Sequence, residues 1–130
     1  MILDASAIVA VLRAEPDAPQ FASAIASARE RRVSAVNYVE AAIVIDRGGD
    51  AVATRRFDDF FRVSQISVEP VTAKQAKTAR YAYRDFGKGR HKAGLNLGDC
   101  FAYALAKEMN EPLLFKGNDF NRTDIEAAEI

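Results

Sequence analysis

The chain has 130 residues, enough for one hydrophobic core but not for two. Its 18 basic and 18 acidic side chains cancel, which excludes a general nucleic-acid coat protein built on a large basic surplus and leaves room for a local basic patch. Hydrophobic residues at 49% are ordinary for a soluble globular domain, and the single cysteine, Cys100, excludes an internal disulfide and suits the reducing cytoplasm.

The opening, MILDASAIVAVL, has no basic segment ahead of it and is too short to cross a bilayer, so it is read as neither signal peptide nor membrane helix. Ile2 and Leu3 form a short apolar strand candidate, and a helix follows to about Arg13. Glu15 to Pro19 is a turn, with Pro19 placed in the first turn of a helix running to about Arg31. Val33 to Ala35 reads as a second strand, leading into an apolar helix from Val36 to Arg47. Gly48 and Gly49 stop that helix, and Asp50 caps the next, Ala51 to Ser64.

Ile66 to Val71 is a third strand candidate, and Thr72 with Gln75 gives a capping-box pattern for a helix ending near Phe86. A glycine-punctuated basic loop, GKGRHKAG, precedes a helix from Leu97 to Met109. Leu113 to Phe115 is a fourth strand, followed by the turn KGND and a short last strand around Ile125 to Ala128. No repeat, linker or low-complexity tract divides the chain, so residues 1–130 are expected to form one domain. Strands alternating with helices predict an α/β fold: a central, mostly parallel sheet of four to five short strands, covered on both faces. Ligands in such sheets sit beyond the carboxyl ends of the strands.

Four carboxylates occupy awkward positions near those ends. Asp4 directly follows the first strand, where it either caps the next helix or belongs to a site. Glu40 has Val36, Ile43 and Val44 as its helical neighbours, and an unpaired carboxylate on that apolar face would be costly. Asp99 opens an otherwise apolar helix, where the helix dipole alone would favour it, and Asp119 lies just past the fourth strand in what could be an ordinary turn. Clustered carboxylates repel one another unless a cation is present, and an oxygen-only donor set suits Mg²⁺ or Mn²⁺ rather than zinc.

The stretches MILDASAIVAVL, SAVNYVEAAIV, LNLGDCFAYALA and PLLFKGNDFNRTDI, in this order and spacing, resemble a PIN-domain ribonuclease, specifically a VapC-type toxin of a bacterial type II toxin–antitoxin pair. The resemblance covers essentially the whole chain. It implies a PIN-like α/β/α sandwich and metal-dependent hydrolysis of RNA phosphodiester bonds. The acidic quartet carries over as Asp4, Glu40, Asp99 and Asp119, with Asp4 and Asp99 the main direct ligands of Mg²⁺ or Mn²⁺. Glu40 and Asp119 complete the set directly or through water, and Asn118 and Asp124 lie close enough to compete for the part of Asp119. Ser6 either orients the first carboxylate or only caps the helix. The resemblance also implies a VapB-like antitoxin, an RNA substrate and a homodimer.

Other features have plainer readings. Cys100 is a small helix residue, and nothing in the sequence brings His91 to it for Cys–His catalysis. The basic loop follows no strand and has no Ser or Thr after its GK pair, which excludes a P-loop. It is either a solvated connector or a place where Lys88, Arg90 and Lys92 meet RNA phosphates. Phe57, Phe60 and Phe61 either fill the core or line a groove for a partner helix.

Overall fold

The computed structural model describes all 130 residues. Strand β1 (Ile2–Leu3) stops after two residues because Asp4 turns its carboxylate back to accept from the Ser6 backbone N–H, opening helix α1 (Ala5–Leu12). Helix α2 (Ala18–Ser27) starts with Pro19 in its first turn, where a missing N–H costs nothing. It ends four residues before the expected Arg31, which instead folds back: its guanidinium donates to the carbonyls of Ile25 (2.5 Å) and Ala26 (2.9 Å), satisfying the open helix end.

Strand β2 (Arg32–Ser34) runs into helix α3 (Ala35–Asp46), with the Ser34 hydroxyl as cap. Gly49, at φ +70°, makes the break that follows, and Asp50 accepts from Val52 N–H (2.9 Å) to start helix α4 (Ala51–Val63). Strand β3 (Ser67–Glu69) leads to helix α5 (Ala73–Phe86). Its expected capping box is half formed: Thr72 accepts from Gln75 N–H, but the Gln75 amide is drawn away to Glu108. Helix α6 (Leu97–Met109) has the full reciprocal box, between Asn96 and Asp99, and ends at Asn110 in the left-handed conformation. Strand β4 (Leu113–Leu114) and a 3₁₀ turn (Asp119–Arg122) complete the chain's regular structure.

The four strands make one all-parallel sheet in the order β3-β2-β1-β4. The expected last strand shrinks to a single parallel bridge between Leu113 and Ala127. Its polar sequence, with Glu126 and Glu129 flanking two alanines, offers little apolar surface to hold it longer.

Successive strand residues point to opposite faces, and here they divide the core in two. Ile2 and Leu113 face a cluster built with α5 and α6, including Ala79, Tyr103 and Leu105. Leu3, Val33 and Leu114 face a second cluster built with α1 to α4, including Ile8, Phe21 and Ile45. The result is the expected α/β/α sandwich. Phe57 is buried in the second cluster with Phe60 and Phe61 packed at its edge, Phe61 meeting Tyr38 edge-on at 5.0 Å, so these rings fill core.

Leu105 is fully buried between α6 and the sheet. Leu105→Ala should therefore cost roughly 2–5 kcal/mol in urea unfolding; a loss below about 1 kcal/mol would show that this layer can collapse around the gap.

Candidate active site

The sheet order fixes where a site can form. From β1 the chain steps outward to β2 and β3, then crosses back to lay β4 on the other side of β1. Order reverses between β1 and β4, and such switch points open a crevice at the strands' carboxyl ends. Asp4 stands at that end of β1, its backbone N–H bonded to Leu114 O (2.9 Å) of β4.

The two oxygens of Asp4 have different surroundings. Oδ2 accepts from Ser6 N–H (3.1 Å) and from the Ser6 hydroxyl (2.5 Å). Oδ1 is buried and has no hydrogen-bond partner. Ser6 in turn accepts from Lys116 N–H (2.9 Å), so it both orients the carboxylate and ties α1 to the loop after β4. A carboxylate only 5% exposed with an orphaned oxygen costs free energy unless something positive meets it.

Glu40 reaches the same place from α3. Its Oε1 accepts from Asn37 Nδ2 (2.9 Å), and the same amide donates to Gly98 O (2.9 Å), fastening α3 to the start of α6. Gly98 has to be small: a Cβ there would lie 2.1 Å from Glu40 Oε2. Asp99, buried in the first turn of α6, accepts from Asn96 N–H (3.1 Å) and donates its own N–H to Asn96 Oδ1 (2.9 Å). Asp119 opens the 3₁₀ turn beyond β4 and is exposed.

The four are electrostatically coupled. Burial pushes Asp99 up to about 7, with the charges of Asp4, Asp119 and Glu40 adding to it against the Asn96 hydrogen bond. Burial also raises Asp4, opposed by its bonds to Ser6 and Ala5 and reinforced by Asp119. Glu40 is raised by burial and by Asp4, and is lowered in part by Asn37. No three of these groups converge tightly enough to form a ready-made cage. The donor set nevertheless fits an oxygen-seeking divalent cation: all ligating atoms are carboxylate oxygens, one of them buried and unpartnered.

The comparisons bear on fold and family. The PIN domain family model matches residues 1–126. The chain belongs to the PIN-domain family. Ribonuclease VapC28 of Mycobacterium tuberculosis is 52% identical over 129 residues, covering 98% of this chain and 97% of the relative. Ribonuclease VapC of Mycolicibacterium smegmatis is 47% identical over 127 residues, covering 98% of each chain. Among solved structures, Mycobacterium tuberculosis VapC20, described as a Sarcin-Ricin loop cleaving toxin, superposes with a TM-score of 0.76 at 17% identity over 95% of both chains. A toxin–antitoxin complex from Klebsiella pneumoniae does so with a TM-score of 0.72 at 14% identity, covering 95% of this chain and 92% of that one. Both structures share the PIN fold.

Within this PIN domain the competitors of Asp119 are otherwise engaged. Asp124 accepts from the Tyr103 hydroxyl (2.7 Å) and from Lys107 (2.8 Å), and Lys107 holds its carboxyl below the usual range. It braces α6 instead of facing the crevice. Asn118 Oδ1 accepts from Asn121 Nδ2 (3.2 Å). Cys100 is buried, with its thiol pushed up to about 11 by burial and by Asp99, and His91 packs edge-on against Phe86 with Nδ1 accepting from Ala93 N–H. Neither can serve as a nucleophile pair. Lys88, Arg90 and Lys92 sit in an exposed loop, and Arg90 donates to Arg84 O (3.3 Å).

Sequence reasoning missed Asn37, Gly98 and Lys116. Asn37 had a signal, an amide one helical turn before Glu40 on an apolar helix. Lys116, paired with Glu15 and Asp17 across the chain, lines a cavity of about 590 Å³ with Ser6, Val9 and Glu40. That pairing depends on folding and leaves no local trace.

Gly98→Ala should keep or raise helix stability, since alanine is the better helix former, yet drive the Glu40 carboxylate from its place. The expected outcome is an unchanged far-ultraviolet spectrum with a roughly 10–100-fold weaker Mn²⁺ affinity by titration calorimetry. Wild-type affinity in the folded variant would show that Glu40 has no part in the site.

Proposed function

We propose that this PIN domain is a divalent-metal-dependent endoribonuclease acting as the toxin of a VapBC-type pair, cutting RNA and arresting growth until a VapB-like antitoxin covers it. The observation that carries the reading is the buried, unpartnered Oδ1 of Asp4 at the sheet's switch point, coupled to three further carboxylates. RNA cleavage is the activity named in relatives that match nearly end to end.

In this reading Asp4 and Asp99 hold Mg²⁺ or Mn²⁺, with Glu40 and Asp119 completing the set. The cation, when bound, supplies Lewis acidity at the scissile phosphate and makes water acidic enough to attack it at neutral pH. The protein's part is positioning. Ser6 fixes the plane of Asp4 through Oδ2 and leaves Oδ1 free, and Asn37 aims Glu40. Asp99, with its pKa near 7, gives up a proton on loading, so affinity rises with pH across neutrality. Lys88, Arg90 and Lys92 contact phosphates at the mouth. No side-chain nucleophile is required.

The partners in this reading are the antitoxin, named with one structural neighbour, and a second copy of the chain. Val39 and Ile43 of α3 are exposed apolar surface that such partners would cover. No helix is long and apolar enough to cross a membrane, and a toxin acting on cellular RNA works in the cytoplasm.

Asp99→Asn and Asp4→Asn should each abolish RNA cleavage and growth arrest while the proteins remain folded. Cleavage at the wild-type rate by folded Asp99→Asn would refute the assignment.

Stability should report the same cluster. In chelator the folded protein keeps a proton on Asp99 that the unfolded chain sheds above about pH 4. The native state thus binds more protons between about 4 and 7, and stability must fall as pH rises through that window. Asp99→Asn should flatten the fall. Mn²⁺ at about ten times its dissociation constant should stabilise wild type by roughly 1.4 kcal/mol and the variant much less. Parallel melting curves for the two proteins would count against a shared site.

A further inference from the structure

The net charge of zero conceals a strong segregation. Residues 73–92 carry seven of the 18 basic side chains and one of the 18 acidic ones. All seven are exposed: Lys74, Lys77, Arg80 and Arg84 on α5, then Lys88, Arg90 and Lys92 in the loop. Only Arg84 has an acidic partner, its neighbour Asp85. Basic residues elsewhere, such as Arg32, Lys107 and Lys116, are spent on ion pairs within the fold.

The helical register makes these charges a ridge. Gln75, Ala79 and Ala82 face the core, and the basic residues, spaced three or four apart, lie on the opposite side. From Lys74 to Arg84 the ridge spans about 15 Å. Tyr81 and Tyr83 are exposed along it, with the Arg84 guanidinium 4.8 Å over the Tyr81 ring.

The ridge also leads to the site. Gly87 ends α5 in a turn where a Cβ would lie 2.2 Å from Tyr83 O, and Lys88 N–H then donates to Leu95 O while Leu95 N–H donates to Phe86 O. The loop between is pinned at its base, and the Tyr83 hydroxyl donates to Lys88 O. One residue past that base, Asn96 caps the helix that carries Asp99.

We propose that the exposed face of α5 is a track for RNA, holding the phosphate backbone of the strand that flanks the scissile bond, with Tyr81 as a stacking surface. This extends the ribonuclease reading and rests on it. An acidic centre repels a polyanion, so the affinity for substrate has to come from elsewhere. Unpaired lysines and arginines in line with the site supply it.

The test is fluorescence-anisotropy binding in chelator, so that no RNA is cut, using labelled oligouridylates of roughly 24 and roughly 6 nucleotides. Wild type should bind the longer strand more tightly and with a steeper salt dependence. The triple variant Lys77→Ala, Arg80→Ala, Arg84→Ala should weaken binding of the long strand and reduce its log–log salt slope by about 2, at roughly 0.7 for each lost contact. Binding of the short strand should change little. A charge-keeping variant, Lys77→Arg, Arg80→Lys, Arg84→Lys, should restore the slope. Removing equal charge from another face, by Arg47→Ala, Arg55→Ala and Arg56→Ala, should leave it intact.

An unchanged slope in the first variant, or an equal loss in the last, overturns the track. So does equal binding of the two lengths by wild type. Failure of wild type to cleave any RNA in Mn²⁺ would instead defeat the ribonuclease reading, while the chelator measurements would still report on α5.

Discussion

Everything at the working end of this molecule depends on burying one carboxylate, that of Asp4, at the tip of the central strand. Burying an anion is expensive, and the fold offsets only half of the cost: Ser6 satisfies Oδ2 and nothing satisfies Oδ1. The same Ser6 hydroxyl accepts from Lys116 N–H, and the Asp4 backbone bonds to Leu114. One side chain therefore ends β1, starts α1 and fixes where the loop bearing Asp119 departs. Capping occupies only one of its two oxygens, so a cap and a ligand need not be alternatives.

The second constraint is how α3 and α6 approach each other. Glu40 can enter the crevice only because position 98 lacks a side chain, and it stays there because Asn37 holds both Glu40 and Gly98 O. Asn37 is fully buried, so its amide bonds form in a dry setting where loss of either partner is costly. A glycine in the first turn of a helix weakens that helix locally, and here the reciprocal box of Asn96 and Asp99 compensates. Site and cap again use the same residue.

Much of this was legible in the sequence because local rules and global demands agree. Asp50 and Thr72 mark helix starts through their own side chains, and alternating strands and helices dictate the layered parallel sheet. Asp4, Glu40 and Asp99 stood out as candidates because charge in apolar company is conspicuous, whereas Asp119, exposed past β4, was named from its position and the resemblance. The errors share a cause. Helix α2 stops short of Arg31 because that side chain satisfies carbonyls on its own helix and also Ser64 O, after α4. Gln75 leaves its box for Glu108, which is 33 residues away. In each case a tertiary partner outbid a local one, and no window of sequence contains that competition.

Charge separation ties the two halves of the site together. Salt screens exposed charges over about 8 Å under physiological conditions, so the repulsion of a phosphate by the quartet is confined to the crevice. The basic ridge on α5 is about 15 Å long, nearly twice that screening length. The neutral total therefore hides a local separation of charge. In the proposed track, flanking phosphates would be held along α5, and the reacting one would meet the carboxylates only with a divalent cation between them. The pinned base at Gly87 and Leu95 joins this ridge to α6, and in the proposed reading it would set the distance between holding and cutting.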